Sequence, residues 1–166
     1  MSRKKFKNKK KISFLDSIPQ TSIDSIADRL TLKSKFSFAY FNNTQEAGQD
    51  FSDWSHDELI KLFEKLKNYS EDSLEYWKNQ KAGRYNLFAV YDSFPINTEF
   101  THPKNVPHQA KWARFHLENR VRLIGFVLPD EYHDKVHDTT GIRFDNNTFY
   151  VVFLDKNHLF YKVNKK

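Results

Sequence analysis

The chain has 166 residues, and its sixteen Phe, eight Tyr and three Trp against four Gly and one Met give enough bulk for one domain with a real core. Without cysteine there are no disulfides or thiolate metal sites, which fits a cytoplasmic setting, and the apolar runs are too short to span a bilayer. The net charge of +6 sits at one end: residues 1–11 hold seven cations and no acid, leaving 20 basic against 21 acidic residues in the rest.

In chain order, residues 1–14 read as a basic disordered tail and residues 15–166 as a single α+β domain. The start of the tail is charged like the head of a signal peptide, but no apolar run follows it, so export is not expected. Thr21-Ser22-Ile23-Asp24 offers a cap for a short helix with Ile23, Ile26 and Leu30 at helical spacing. Residues 35–40 alternate, with Phe36, Phe38 and Tyr40 on one side, which predicts a strand. Ser55 and Glu58 form a capping box, and Leu59, Ile60, Leu62, Phe63 and Leu66 follow at core-facing spacing. Ser70 predicts a second helix carrying Leu74 and Trp77 and ending at Gly83. Residues 85–91 are a strand or a covering segment, and residues 94–109, broken by Pro95, Pro103 and Pro107, are a loop.

Residues 111–127 alternate on both sides of a polar turn and predict a β-hairpin. A two-residue loop would set Phe115 against Arg122. A three-residue loop, Glu118 to Arg120, pairs Leu117 with Val121 and Phe115 with Leu123 instead. The apolar side chains then share one face, and Arg114, His116 and Arg122 share the other. Three of the seven arginines (Arg114, Arg120, Arg122) fall within nine residues. Arginine stays charged and presents a planar fork that fits phosphate; the alternative is the solvated outer face of an amphipathic hairpin. Residues 129–147 read as a polar loop. Residues 148–154 are a strand, which turns at Asp155-Lys156-Asn157 into a last strand over 159–163. The whole is α+β, an antiparallel sheet with helices packed on one face.

This pattern suits metal-free RNA cleavage, which needs a base for the 2′ proton, an acid for the leaving oxygen and cations over the phosphate. Arg114 and Arg122 supply the cations. His116 or His158, and Glu118, are the titratable candidates, and Tyr161 can orient a hydroxyl or stack on a base. His158 and Tyr161 join the others only if the last hairpin lies beside the first; otherwise they are a turn residue and a half-buried sheet aromatic. Lys111, Trp112, Arg120 and Lys162 are candidates for holding the rest of a nucleic acid. His133 and His137 would face one metal if they lay on a helix. Pro129 and the run Asp138-Thr139-Thr140-Gly141 predict a loop there, so neither a metal nor another cofactor is expected. Gly-rich phosphate loops and a Gly-x-Ser-x-Gly elbow are absent from the sequence.

The order strand, two helices, then Ala113-Arg114-Phe115-His116-Leu117, Val121-Arg122-Leu123-Ile124-Gly125-Phe126-Val127, a strand from Phe149 to Asp155, and His158-Leu159-Phe160-Tyr161 resembles the RelE/HigB-type ribonuclease toxins over about residues 34–163. The resemblance implies a RelE-like fold, cleavage of messenger RNA, usually in the ribosomal A site, and a cognate antitoxin covering the cationic face. It places the family's strand arginine at Arg122, a second basic residue at Arg114 and the terminal His or Tyr at His158 and Tyr161. The loops 84–109 and 129–147 are longer than that pattern, and no helix follows the last strand. An endoribonuclease toxin is therefore the leading expectation; the alternative is a non-catalytic module binding nucleic acid or an acidic partner.

Overall fold

The structure, a computed structural model, describes residues 8–19, 22–25 and 29–162. The chain divides into two compact units, Met1–Thr31 and Leu32–Lys166. In the first, helix α1 (Lys9–Asp16) lies largely within the stretch read as a basic tail, and the Asn8 side chain caps it by accepting from the Lys11 amide. The helix expected around residues 21–30 falls partly on residues 21 and 26–28, which lie outside the described residues; residues 23–24 form a turn.

The second unit contains β1 (Lys35–Ser37), α2 (His56–Tyr69), α3 (Leu74–Lys78), β2 (Lys81–Ala82), β3 (Tyr85–Asn86), β4 (Phe88–Val90), β5 (Lys111–Glu118), β6 (Val121–Val127) and β7 (Thr148–Asp155). The fold is α+β. One sheet has the order β1-β7-β6-β5-β4, and β2 and β3 form a separate two-stranded ribbon. The sheet is mixed rather than wholly antiparallel, because β1 runs parallel to β7 with Phe36 opposite Phe149. The capping box of Ser55 and Glu58 opens α2 as its spacing predicts. Helix α3 is shorter than expected and starts from Ser73, because Ser70 closes α2 instead, its hydroxyl donating to the Leu66 carbonyl at 2.8 Å.

In the hairpin, Phe115 lies opposite Leu123, His116 opposite Arg122 and Arg114 opposite Ile124. The turn is one residue tighter than expected. Glu118 pairs with Val121 across Asn119-Arg120, Asn119 adopts a φ of 47°, and Leu117 falls at a bulge between His116 and Glu118. The bulge restores the alternation that a two-residue loop alone would have inverted.

Both faces of the sheet are buried. On one, Phe115, Leu123, Phe149 and Val151 meet Leu62, Leu66 and Tyr69 of α2 and Leu74 and Trp77 of α3. The other, read as a cationic surface, is a second core over much of its length: Trp112, Ile124, Phe126 and Phe153 join Phe100, Val106 and Phe160. The proline-broken loop supplies the cover because it is itself aromatic. The last strand expected over 159–163 is not present in the described residues. The Asp155 carboxylate accepts from the amides of Asn157, Leu159 and Phe160 at 3.2, 3.0 and 2.9 Å, and His158 takes a φ of 60°, so the chain curls instead of pairing with β7. It runs instead beside residues 97–99, with the Glu99 amide donating to the Leu159 carbonyl at 3.1 Å. Among the described residues, no helix is long and apolar enough to cross a membrane.

Candidate functional site

Three strands and the turn after β7 gather the titratable groups. His116 on β5 faces Arg122 on β6, and Arg122 faces Asp155 at the end of β7. Arg114 precedes His116 by two residues and so shares its side of the sheet. The charges of Arg122, Arg114, Lys65 and His158 all bear on His116, and those of Arg122, Asp155, Arg114 and Arg120 bear on His158. Arg114, His116 and Arg122 therefore share one side of the sheet near the hairpin turn, with His158 near enough to feel the arginine charges.

The hydrogen bonds set the orientation of this cluster. Arg114 Nε donates to the Tyr91 hydroxyl at 3.1 Å, and its Nη1 to the Asn86 carbonyl at 3.1 Å. Arg122 Nη1 donates to the carbonyls of Asn119 and Val121 at 2.8 and 2.9 Å. No ion pair among the described residues includes Arg114 or Arg122. Asp155, fully buried opposite Arg122, accepts instead from backbone amides. His116 Nδ1 and Arg122 Nε, on directly facing residues, are buried polar atoms without a hydrogen-bond partner among the described residues. Trp54 Nε1, outside the cluster, is a third such atom; buried polar atoms are ordinarily satisfied by protein or water.

Burial first, and the neighbouring cations after it, disfavour the charged form of both imidazoles. His116 is only 8% exposed; burial, then the charges of Arg122 and Arg114, push its pKa down to about 4. Burial and Arg122 lower His158 as well, with Asp155 opposing. Burial is also the largest influence lowering Arg122, followed by Arg114, yet a guanidinium keeps its proton at neutral pH.

Aromatic rings flank the cluster. Tyr85 stacks on the His116 ring at 5.5 Å and 8°, with the Arg84 guanidinium 5.7 Å from its own ring centre. Tyr91 stacks on Tyr161 at 5.4 Å and 7°. Tyr161 thus reaches the cluster through Tyr91 rather than from a sheet position. Tyr85 and Tyr91 were not singled out in the sequence. Their only signal was the aromatic segment 85–91, and it became specific once β4 paired with β5, Ala89 opposite Arg114.

Other candidates lie elsewhere. Lys111 begins β5, opposite Val127, at the far end from His116. Trp112 is a core residue, 1% exposed, with Phe94, His102 and Phe153 around its ring at 4.8, 5.3 and 6.1 Å. Lys162 is ion-paired with Glu99. Arg120 stays exposed in the turn, and Glu118 meets Lys61 of α2 at 3.7 Å. His133 and His137 lie on an irregular loop bridged at Val136 and Arg143, and His137 Nδ1 faces the Thr140 hydroxyl at 3.2 Å. Among the described residues no three His, Asp or Glu side chains are grouped to hold a metal.

What is left is a part-buried Arg114 and an Arg122 only 5% exposed, with the charge of Asp155 bearing on Arg122, two imidazoles of lowered proton affinity, and aromatic faces alongside. Compared with known proteins, the chain matches no family model, no curated protein and no solved structure.

Proposed function

We propose that this protein is a metal-independent endoribonuclease acting on messenger RNA, of the toxin type that the RelE/HigB resemblance implies, with an antitoxin protein as its natural inhibitor. The observation that supports this reading is the meeting of Arg114, Arg122, His116 and His158 with no carboxylate ion-paired to either arginine among the described residues. In it, a phosphodiester lies over the two guanidinium groups. The neutral His158 imidazole takes the 2′ proton as the 2′ oxygen attacks phosphorus. The bond from phosphorus to the 5′ oxygen breaks, and that oxygen takes a proton from His116 in its protonated, imidazolium form. This leaves a 2′,3′-cyclic phosphate, a 5′ hydroxyl, a protonated His158 and a neutral His116, and proton exchange with solvent restores both histidines. The substrate's negative charge offsets the arginine part of what lowers both histidines, though not the larger part, which is burial.

A second reading, a binding module that holds RNA or an acidic protein without cutting it, is favoured by one observation. His116 is nearly buried, with a pKa near 4, a poor acid for neutral pH. Purified protein and single-stranded RNA separate the two. Wild type should cleave, and Arg122→Ala and His158→Asn should lose about 10²-fold or more in rate, the usual weight of an acid–base or charge-stabilising group, while RNA binding persists in His158→Asn and is weakened in Arg122→Ala only by the one lost phosphate contact. Asparagine is the suitable replacement at 158 because it tolerates the positive φ. In cells, induced wild type should arrest growth with loss of transcripts and Arg122→Ala should not; equal growth of both would refute the toxin. Binding without cleavage, abolished by removing residues 1–11, would establish the module.

A further inference from the structure

Beside the arginine cluster runs a groove of about 610 Å³ whose walls include Tyr91, Asp92, Ser93, Phe94, Tyr161 and Lys162. Its size lies in the range of small-molecule sites, about 300–1,000 Å³. Tyr91 belongs to both places at once: its hydroxyl accepts from Arg114 Nε, and its ring lies parallel to Tyr161 in the groove wall. Tyr161, 45% exposed, offers a flat aromatic surface at the rim. A phosphate on Arg114 and a planar ring in the groove are thus joined through one tyrosine side chain, a separation on the scale of a single nucleotide.

We propose that this groove is a nucleobase subsite, in which a base next to the phosphate bound by Arg114 and Arg122 extends the Tyr91–Tyr161 stack. The inference rests on the reading of the cluster as a phosphodiester site and adds where a base beside that phosphate is held. A base inside a duplex has both faces covered by its neighbours and cannot lie on a protein ring, whereas an unpaired base can. The ligand is therefore single-stranded RNA or a loop, held by one base and its phosphate. Asp92 and Ser93 stand where they can meet the edge of that base, and the stack itself tolerates any base.

The test uses the full chain and a short single-stranded RNA carrying 2-aminopurine, with 2′-O-methyl sugars throughout so that no cleavage can occur. Stacking quenches 2-aminopurine fluorescence. Wild type should quench it on binding. Tyr161→Ala should abolish the quenching and weaken binding about tenfold, the order of one lost base–aromatic stack. Tyr161→Phe should restore both, which separates loss of stacking from loss of fold. Absence of quenching in wild type, equal quenching in Tyr161→Ala, or a duplex of the same sequence binding as tightly as the single strand would each overturn the subsite. Cleavage of the unmodified RNA by wild type is scored separately, so failure of the nuclease reading and failure of the subsite give different results.

Discussion

His116 faces Arg122 across a β ladder, an arrangement in which like charges repel. The fold tolerates it only because burial and the neighbouring arginines keep the imidazole uncharged, with its pKa near 4 instead of the usual 6.5. The folded-state value is below the unfolded one, so the unfolded chain binds this proton first as pH falls. Stability from the neutral ring is complete above about 6.5, erodes as pH drops from there toward 4, and is gone below the folded value. His158 adds to the loss in the same direction. Urea midpoints measured across pH 7.5 to 4 should therefore fall for wild type, and fall less for His116→Gln, which cannot take up the proton. An identical slope in the two proteins would mean that His116 is not held neutral by its surroundings.

Among the elements, the central hairpin carries the site, and β6 has a feature of its own to keep it in register with β7. Arg122, Leu123 and Ile124 pair in one register and Gly125 and Phe126 in another, so the ladder slips by one residue between Ile124 and Gly125. A Cβ at Gly125 would run into the Tyr150 carbonyl oxygen and lie 2.8 Å from the Phe149 ring. Gly125→Ala forces backbone to move in a fully packed strand. It should cost about 1–3 kcal/mol, as overpacking does, and lower Tm by about 2–4 °C for each kcal/mol in a protein of this size. Unchanged Tm would show that the slip is slack rather than tight. This hairpin is also where the sequence was most legible. Alternation and the need to bury one face were enough to set Phe115 against Leu123 and to put Arg114, His116 and Arg122 together. Helix α2 was legible for an equally local reason, its capping box. What stayed hidden was non-local. Nothing in residues 35–37 indicates that β1 will run parallel to a strand more than 110 residues later in the chain. Nothing around Asp155 announces that its carboxylate will satisfy three amides and curl the chain where a hairpin was expected. Tyr85 and Tyr91 were visible as aromatics, but their place beside the arginines depends on the pairing of β4 with β5.

At the scale of the whole molecule, charge and packing are divided between different parts of the chain. Every buried residue in the described structure lies at Ser34 or beyond, whereas the densest positive charge is in residues 1–11, seven cations without an acid. Arg114 and Arg122 are fixed by strands and act at one spot, whereas a run of cations as dense as that in residues 1–11 attracts any polyanion alike. The two contributions to RNA binding should therefore separate by salt and by location. Deleting residues 1–11 should leave Tm within about 1 °C of wild type, as for changes away from packed features. It should also flatten the dependence of log affinity on log salt by up to about 5, since each cation contributes about 0.7 on a single strand. The loss on Arg122→Ala should survive in the shortened chain, because the strand arginine binds one phosphate whether or not the basic segment is present. If the deletion instead lowered Tm by many degrees, the N-terminal stretch would be part of the packed body. If it erased the effect of Arg122→Ala, the sheet cluster would have no phosphate site of its own.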